Sequence, residues 1–182
     1  MRVVIATLVA YGLLIAADQG RPAQPLTILQ NAGPSVSLKQ YAGKTVLLGF
    51  IQTPSMECQS LIALLSPVSR EYASRGVQVL VVAFDETAAG TLPGLLTRYN
   101  PPYPVGWTHP NAVKTFFQEG EPKLEPKAEE KEKSEQKPKE FVVPRLVFID
   151  RKGIIRADFT ADKPFFKDPA ANIRRELNEL IR

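Results

Sequence analysis

Two long apolar runs dominate the pattern of hydrophobic and polar positions along the chain. They cover residues 45–51 and 77–84, and both are rich in β-branched side chains with no polar face. Such runs are typical of strands that are buried on both faces. The stretch between them, 56–74, predicts a helix with one buried face, because apolar residues recur at three and four positions: Leu61, Leu64, Leu65, Val68 and Tyr72. Strand, helix and strand at this spacing predict a parallel crossover unit.

Shorter segments complete the predicted element order. Apolar and β-branched runs mark the strands, and apolar residues at helical spacing mark the helices. After the crossover unit, the turn at Asp150-Arg151-Lys152-Gly153 predicts a hairpin, which a closing amphipathic helix follows. The further predicted elements are strands at 25–29, 36–38, 141–150 and 154–160, an extended piece at 103–106, and helices at 91–99, 110–117 and 170–182.

The first twenty residues have the pattern of a secretory signal. Met1 and Arg2 precede an almost wholly apolar run over 3–17, which closes on the small pair Ala16-Ala17. A membrane-spanning helix needs about 20 apolar residues, and this run is shorter. We predict a signal peptide over 1–20, with an uncleaved membrane anchor as the alternative, and therefore a periplasmic or secreted protein. The folded domain is then predicted over 25–182.

The segment 119–140 interrupts that domain. Glu, Lys and Pro dominate it and no aromatic residue occurs, so it cannot bury enough apolar surface to fold alone. It is either a solvated spacer or a partner-binding segment. Because it enters just before the strand at 141–150, its base is expected near that strand.

Charge and cysteine content narrow the function classes. The net charge of the 182 residues is +4, and the basic residues form no dense stripe, so we predict no nucleic-acid partner. Export favours disulfides, yet the chain has one cysteine, Cys58. An intramolecular disulfide is therefore excluded.

Two segments resemble a known group of proteins. Gly43-Lys44 before the apolar strand resembles the entry segment of periplasmic TlpA-type thioredoxins and AhpC/TSA peroxiredoxins, and 144–153 resembles their cis-proline strand and its turn. The resemblance implies an α/β fold: a thioredoxin-like three-layer sandwich with a central mixed sheet. In that fold the crossover βαβ unit is followed by a β-hairpin and a C-terminal helix.

The family places Cys-x-x-Cys at the start of the crossover helix, where free N–H groups and the helix dipole stabilise a thiolate. Here the tetrad is Ser55-Met56-Glu57-Cys58. Ser55 stands where the attacking cysteine would be, and Cys58 where the resolving cysteine would be. Dithiol exchange within this motif is excluded. The tetrad is similar to the peroxiredoxin Thr/Ser-x-x-Cys motif, although Ile51 stands where that motif has its proline.

The resemblance implies roles for the residues around the tetrad. Pro144 is expected to be the cis-proline that faces the helix start, and Arg145 to favour the Cys58 thiolate. Structural alternatives stand beside these roles. Cys58 is a buried apolar residue in one of them, Ser55 is the N-cap of the helix, and Arg145 is an exposed strand-end arginine. The other residues predicted to face substrate or to support the site are Thr53, Pro54, Glu57 and Val143.

Three functional hypotheses follow. In the favoured one, the protein is a one-cysteine thiol redox protein: Cys58 attacks a peroxide or a disulfide, Ser55 positions the substrate, and an external thiol completes the cycle. No cofactor or metal is expected. The alternative is a redox-inactive module that binds a partner in envelope or cytochrome assembly through the surface around Pro144. A Sco-like copper protein using Met56 and Cys58 is the third, with His109 expected to be a capping or surface residue.

Overall fold

The fold is built on one six-stranded mixed sheet. The computed structural model describes residues 20–118 and 141–182. In the main sheet the strand order is β1-β8-β7-β4-β5-β6, and β2 and β3 form a separate antiparallel pair. The strands are β1 (Arg21–Pro22), β2 (Thr27–Ile28), β3 (Val36–Ser37), β4 (Thr45–Ile51), β5 (Val77–Ala83), β6 (Val105–Trp107), β7 (Arg145–Ile149) and β8 (Ile154–Thr160).

Helices cover both faces of this sheet. The helices are α1 (Met56–Tyr72), α2 (Ala88–Tyr99), α3 (Pro110–Gln118) and α4 (Pro169–Leu180), with short 3₁₀ turns at Leu38–Tyr41, Ala73–Arg75 and Pro164–Lys167. One face carries α1, α2 and α4, and the other carries α3 together with the β2–β3 pair. The two hydrophobic cores lie between these layers and the sheet.

The predicted fold class is confirmed in its layers and in its element order. The crossover unit β4-α1-β5 is parallel, and the β7–β8 hairpin and α4 follow it. Several element boundaries differ from the prediction, among them the start of β7, which is Arg145 rather than residue 141. The fold begins at β1 rather than at residue 25, because Arg21 pairs with Ile155. Helix α2 begins at Ala88, three residues before the predicted start.

Two predictions lie outside the described residues. The predicted signal peptide covers 1–20, of which the structure describes only Gly20, and the charged insertion covers 119–140. Among the helices of 20–118 and 141–182, none is long and apolar enough to span a bilayer.

Alternation along the central strands divides the two cores. Leu47 and Ile51 of β4 pack beneath α1, whereas Val46, Leu48 and Phe50 face the α3 layer. Strand β7 behaves in the same way, since Leu146 and Phe148 pack beneath α1 and Val147 and Ile149 do not. All seven residues of β4 are buried. The face that a strand residue such as Arg145 occupies is thus set by its position in the strand.

The outer edge of β6 is closed by the chain that follows β2. Leu29 forms an isolated bridge with Trp107, with N–H to O distances of 2.7 and 2.8 Å in the two directions. This close approach takes place over Gly106, where a Cβ atom would lie 2.2 Å from the carbonyl oxygen of Leu29. A side chain at residue 106 would therefore force the two segments apart.

We expect Gly106→Ala to lower the free energy of unfolding by about 2–3 kcal/mol, because the added methyl overpacks this edge. Gly94→Ala in α2 is the matched control, since nothing lies within 4 Å of a Cβ built there. The control should raise stability by about 0.5–1 kcal/mol through helix propensity. Urea unfolding of both variants checks this, and equal effects would contradict the close approach over Gly106.

Candidate functional site

The first turn of α1 is capped by a side chain from its own tetrad. Ser55 has extended backbone dihedrals, and its Oγ accepts a hydrogen bond from the Cys58 N–H at 3.3 Å. The Ser55 hydroxyl also donates to the Glu57 carboxylate at 2.9 Å. The N-cap interpretation of Ser55 is therefore confirmed. Pro54 is exposed just ahead of the cap, and Met56 just after it is 65% exposed.

The Cys58 sulfur lies beneath this turn in the core. Cys58 is 0% exposed and packs in the hydrophobic cluster of the α1 face. Its Sγ accepts a hydrogen bond from the Gln52 N–H at 3.4 Å. The α1 dipole and the Gln52 N–H favour a thiolate at Cys58. Burial and the nearby carboxylates oppose it, and the balance between these effects decides whether Cys58 is protonated.

Burial raises the pKa of the Cys58 thiol, and the carboxylates of Glu57 and Asp85 act in the same direction. The hydrogen bonds that Ser55 and Gln52 make to Cys58 lower it, but by less. Glu57 is itself ionised at neutral pH, because hydrogen bonds from its own N–H and from Ser55 lower its pKa. Cys58 is therefore a protonated thiol near neutral pH in this geometry.

A carboxylate from the neighbouring strand holds the loop above Cys58. Asp85, in the loop after β5, accepts hydrogen bonds from the Thr53 N–H at 2.6 Å and from the Thr53 hydroxyl at 2.8 Å. The Thr87 hydroxyl donates to the same carboxylate at 2.8 Å. Gln59 adds a second tie, since its side-chain amide donates to the Thr53 carbonyl at 2.9 Å. Thr53 is thus a buried support of the loop.

Asp85 and Gln59 were not among the site residues predicted from the sequence. Asp85 could have been found from the crossover unit, because the carboxyl ends of parallel neighbouring strands meet at one edge of the sheet. A carboxylate that follows β5 therefore lies opposite the loop that ends β4. For Gln59, inside the helix, no comparable pattern exists.

The segment before β7 lies beside the start of α1. The Val143–Pro144 peptide bond is cis, as the resemblance implied. Pro144 is buried, Val143 is half-buried, and Val142 is 37% exposed. Pro144 and Glu57 line one groove of about 350 Å³, together with apolar side chains of α1 and of the chain before α4: Leu61, Leu64 and Phe166. The structure thus brings Glu57 and Pro144 together.

Arg145 lies on the other face of the sheet. Its guanidinium lies 3.7 Å from the ring centroid of Phe117 and 5.0 Å from that of Phe141, and Asp158 holds it through two hydrogen bonds. Phe117 and Phe141 pack on the core opposite Cys58. The expected contact between Arg145 and the thiolate is therefore not formed. Arg145 instead ties together the two ends of the chain that flank the insertion.

The surroundings of His109 bear on the copper hypothesis. His109 packs edge-on against Trp107, with ring centroids 5.4 Å apart. Within 20–118 and 141–182, no group of three His, Cys, Asp or Glu side chains lies close enough to hold a metal ion. The copper hypothesis gains no support from these residues.

At pH 7, we expect iodoacetamide to modify native Cys58 at least about 100-fold more slowly than the urea-unfolded chain, because reaction requires local opening.

The raised pKa of Cys58 also predicts a pH dependence of stability, because the folded state retains the Cys58 thiol proton more tightly than the unfolded chain does. This stabilisation is complete below the ordinary thiol pKa of about 8.5 and is lost as the pH rises through the raised folded value. The stability difference between wild type and Cys58→Ala should therefore shrink from about pH 8 to pH 10. Rapid modification at pH 7 would contradict this geometry.

Asp85→Ala should lower the free energy of unfolding by about 2 kcal/mol, because it leaves the Thr53 N–H without its charged acceptor. The native-state alkylation rate of Cys58 should rise at least about tenfold as the loop opens more often. Glu86→Ala is the neighbouring control, since Glu86 is exposed, and we expect a change within about 0.5 kcal/mol. An unchanged alkylation rate in Asp85→Ala would show that the loop does not control access to the thiol.

The fold and the site can be compared with known proteins. A thiol:disulfide interchange protein of the thioredoxin family from Chlorobium tepidum superposes with a TM-score of 0.67 at 18% identity, covering 92% of this chain and 100% of that one. The thioredoxin domain of a thiol-disulfide oxidoreductase from Bacteroides vulgatus gives a TM-score of 0.63 at 16% identity, covering 90% and 97%. These likenesses establish the thioredoxin fold. No protein of curated function matches the sequence significantly. The AhpC/TSA family model matches residues 19–158, and the chain belongs to the AhpC/TSA family.

Proposed function

We propose that this protein binds client polypeptide segments through the surface at the start of α1 and the cis-proline segment, with Cys58 held beneath it as a reduced thiol. One observation carries the proposal. In the described part of the chain, the large apolar side chains left exposed are Met56, at 65%, and Val142, at 37%. Both are next to the groove lining along the chain: Met56 directly precedes Glu57, and Val142 lies two residues before Pro144. Exposed apolar side chains beside an apolar groove are typical of an interaction site.

The groove next to these side chains suits an extended segment. Its walls are apolar and come from Leu61, Leu64, Pro144 and Phe166. Glu57 stands among them as an ionised carboxylate. An apolar side chain of a client can be buried against these walls while its backbone passes over the cis-proline segment.

Chemistry at Cys58 is disfavoured by three features of the same site. The attacking position is Ser55, whose hydroxyl is held by Glu57. The Cys58 sulfur is fully buried, and burial raises its pKa. The cation expected to favour a thiolate, Arg145, is paired with Asp158 on the other face. A nucleophilic cysteine needs an exposed, electropositive setting, and this one has neither property.

A one-cysteine thiol redox function is the second candidate, and the Ser55-x-x-Cys58 geometry favours it. Ser55 Oγ and the Gln52 N–H both hydrogen-bond to Cys58 atoms, and hydrogen bonds to Cys58 lower its pKa. After loop opening, the thiolate would attack one peroxide oxygen and break the O–O bond. The sulfur becomes a sulfenic acid, and the other oxygen leaves as water or an alcohol. Two equivalents of an external thiol then restore the cysteine and are oxidised to a disulfide.

We also propose that the protein acts in the periplasm or outside the cell. Support comes from the apolar run at 3–17 behind Met1 and Arg2. A single cysteine and client binding are compatible with that compartment. The N-terminus of the mature protein recovered from cell fractions tests this proposal.

Client binding is tested with reduced, unfolded polypeptides of defined sequence, measured by fluorescence anisotropy. Met56→Asp and Val142→Asp should each weaken binding at least about tenfold, because a charge in an apolar contact must be desolvated. Both residues are exposed, so the melting temperature should stay unchanged. Ala73→Asp, exposed at the far end of α1 from Ser55, is the matched control and should bind like wild type.

Cys58→Ala separates the two candidate functions. Under the client-binding proposal, this variant binds within about twofold of wild type. Stoichiometric sulfenic acid formation at Cys58 after peroxide treatment of the folded protein, with loss of biological effect in Cys58→Ala, would overturn that proposal in favour of redox chemistry.

A further inference from the structure

A second cavity lies at the end of the sheet opposite Cys58. Strand β4 runs from Thr45 at this end to Ile51 at the site end, a span of about 20 Å. The turn at 150–153 and the segments at 23–25 and 37–44 surround a cavity of about 270 Å³. None of these residues belongs to the client surface proposed above.

The rim of this cavity is positively charged. Lys39, Lys44 and Arg151 line it, and all three are exposed. Within the part of the chain that the structure describes, none of them forms an ion pair with a carboxylate. Three cations around one small cavity attract an anion strongly when no protein carboxylate competes for them.

The one carboxylate in the cavity lining, Asp150, is held by hydrogen bonds to its own turn and to Arg156. Asp150 accepts hydrogen bonds from the N–H groups of Lys152 at 2.8 Å and Ile154 at 2.9 Å. Arg156 pairs with the same carboxylate, with its Nε at 2.7 Å. Asp150 therefore shapes the turn at 150–153 and leaves the rim cations free to face a ligand.

The floor of the cavity is apolar. Val46 and Ile149 are each 2% exposed, and Leu38 and Pro25 complete this lining. Tyr41 stands at the wall with the Lys44 ammonium 5.9 Å from its ring centroid. Burial raises the pKa of Tyr41, so its phenol keeps a proton that it can donate to an anion. An apolar floor below a cationic rim matches a ligand with one charged end and one apolar end.

We propose that this cavity binds a small, free amphipathic anion: an acidic head, phosphate or carboxylate, on a short apolar chain. The head contacts Lys39, Lys44 and Arg151, and the chain lies against Val46 and Ile149. The cavity volume is small for a ligand site, which restricts the occupant to a short chain. This site is independent of the client surface and of Cys58.

Isothermal titration of the full chain with octyl phosphate, below its micellar concentration, tests the proposal. Inorganic phosphate supplies the charge alone, and octyl glucoside supplies the apolar chain alone. We expect both to bind at least about tenfold more weakly than octyl phosphate, because inorganic phosphate contacts only the cationic rim and octyl glucoside only the apolar floor. Raising the salt concentration should weaken octyl phosphate binding, because the rim cations are exposed to solvent.

Charge reversal identifies the site. Lys44→Glu and Arg151→Glu should each weaken octyl phosphate binding at least about tenfold with little change in melting temperature, because both side chains are exposed. Arg98→Glu, a cation on α2 away from the cavity, is the matched control and should stay within about twofold of wild type.

Three results would overturn the proposal. The first is that inorganic phosphate or octyl glucoside binds as tightly as octyl phosphate, and the second is that Lys44→Glu and Arg151→Glu both bind octyl phosphate like wild type. The third is that the protein binds anionic phospholipid vesicles but not soluble octyl phosphate. The last result would assign the basic rim to a membrane surface. Client binding by the same rim variants should be unchanged, so the two proposals fail separately.

Discussion

Strand β4 is buried on both faces, and this constraint decides which layer each side chain of the central strands enters. Residues of the central strands alternate between the α1 face and the α3 face, and both faces are closed by helices. Because Leu146 of β7 packs beneath α1, its neighbour Arg145 must face the opposite layer. The arginine next to the cis-proline is therefore out of reach of the sulfur. A shift of one residue would place a cation on the Cys58 side.

Electrostatics at the start of α1 then keeps the sulfur neutral. The helix dipole favours a thiolate at this place, yet burial opposes it, and Glu57 and Asp85 act in the same direction as burial on the thiol pKa. Asp85 has a second role, because its hydrogen bonds to Thr53 close the loop over the thiol. The residue that stabilises the loop is thus also one that suppresses the nucleophile. Cys58 contributes packing to the core below a surface on which Met56 and Val142 are exposed.

The two ends of the sheet differ in chemistry. At the carboxyl end of β4, the surface combines an apolar groove with the acidic side chain of Glu57. At the other end, three cations surround an apolar cavity. The two proposed ligand sites are separated by about 20 Å of rigid strand. Each end can therefore be occupied without direct contact between the ligands.

Periodicity along the chain determined the central strands, helix α1 and the crossover unit that they form, because the two-residue and 3.6-residue repeats are local properties of the backbone. The turn residues at 150–153 determined the hairpin, and the three layers were expected from the family resemblance. The Ser55 cap followed from its local residue pattern, whereas the cis bond at Pro144 was expected from the family resemblance. Two features were decided only by tertiary structure: the pairing of β1 with β8 and the face that Arg145 occupies. Each depends on the register between segments distant in the chain, which residue types alone do not encode. The depth of Cys58, and with it the protonation of its thiol, was settled by how those segments pack.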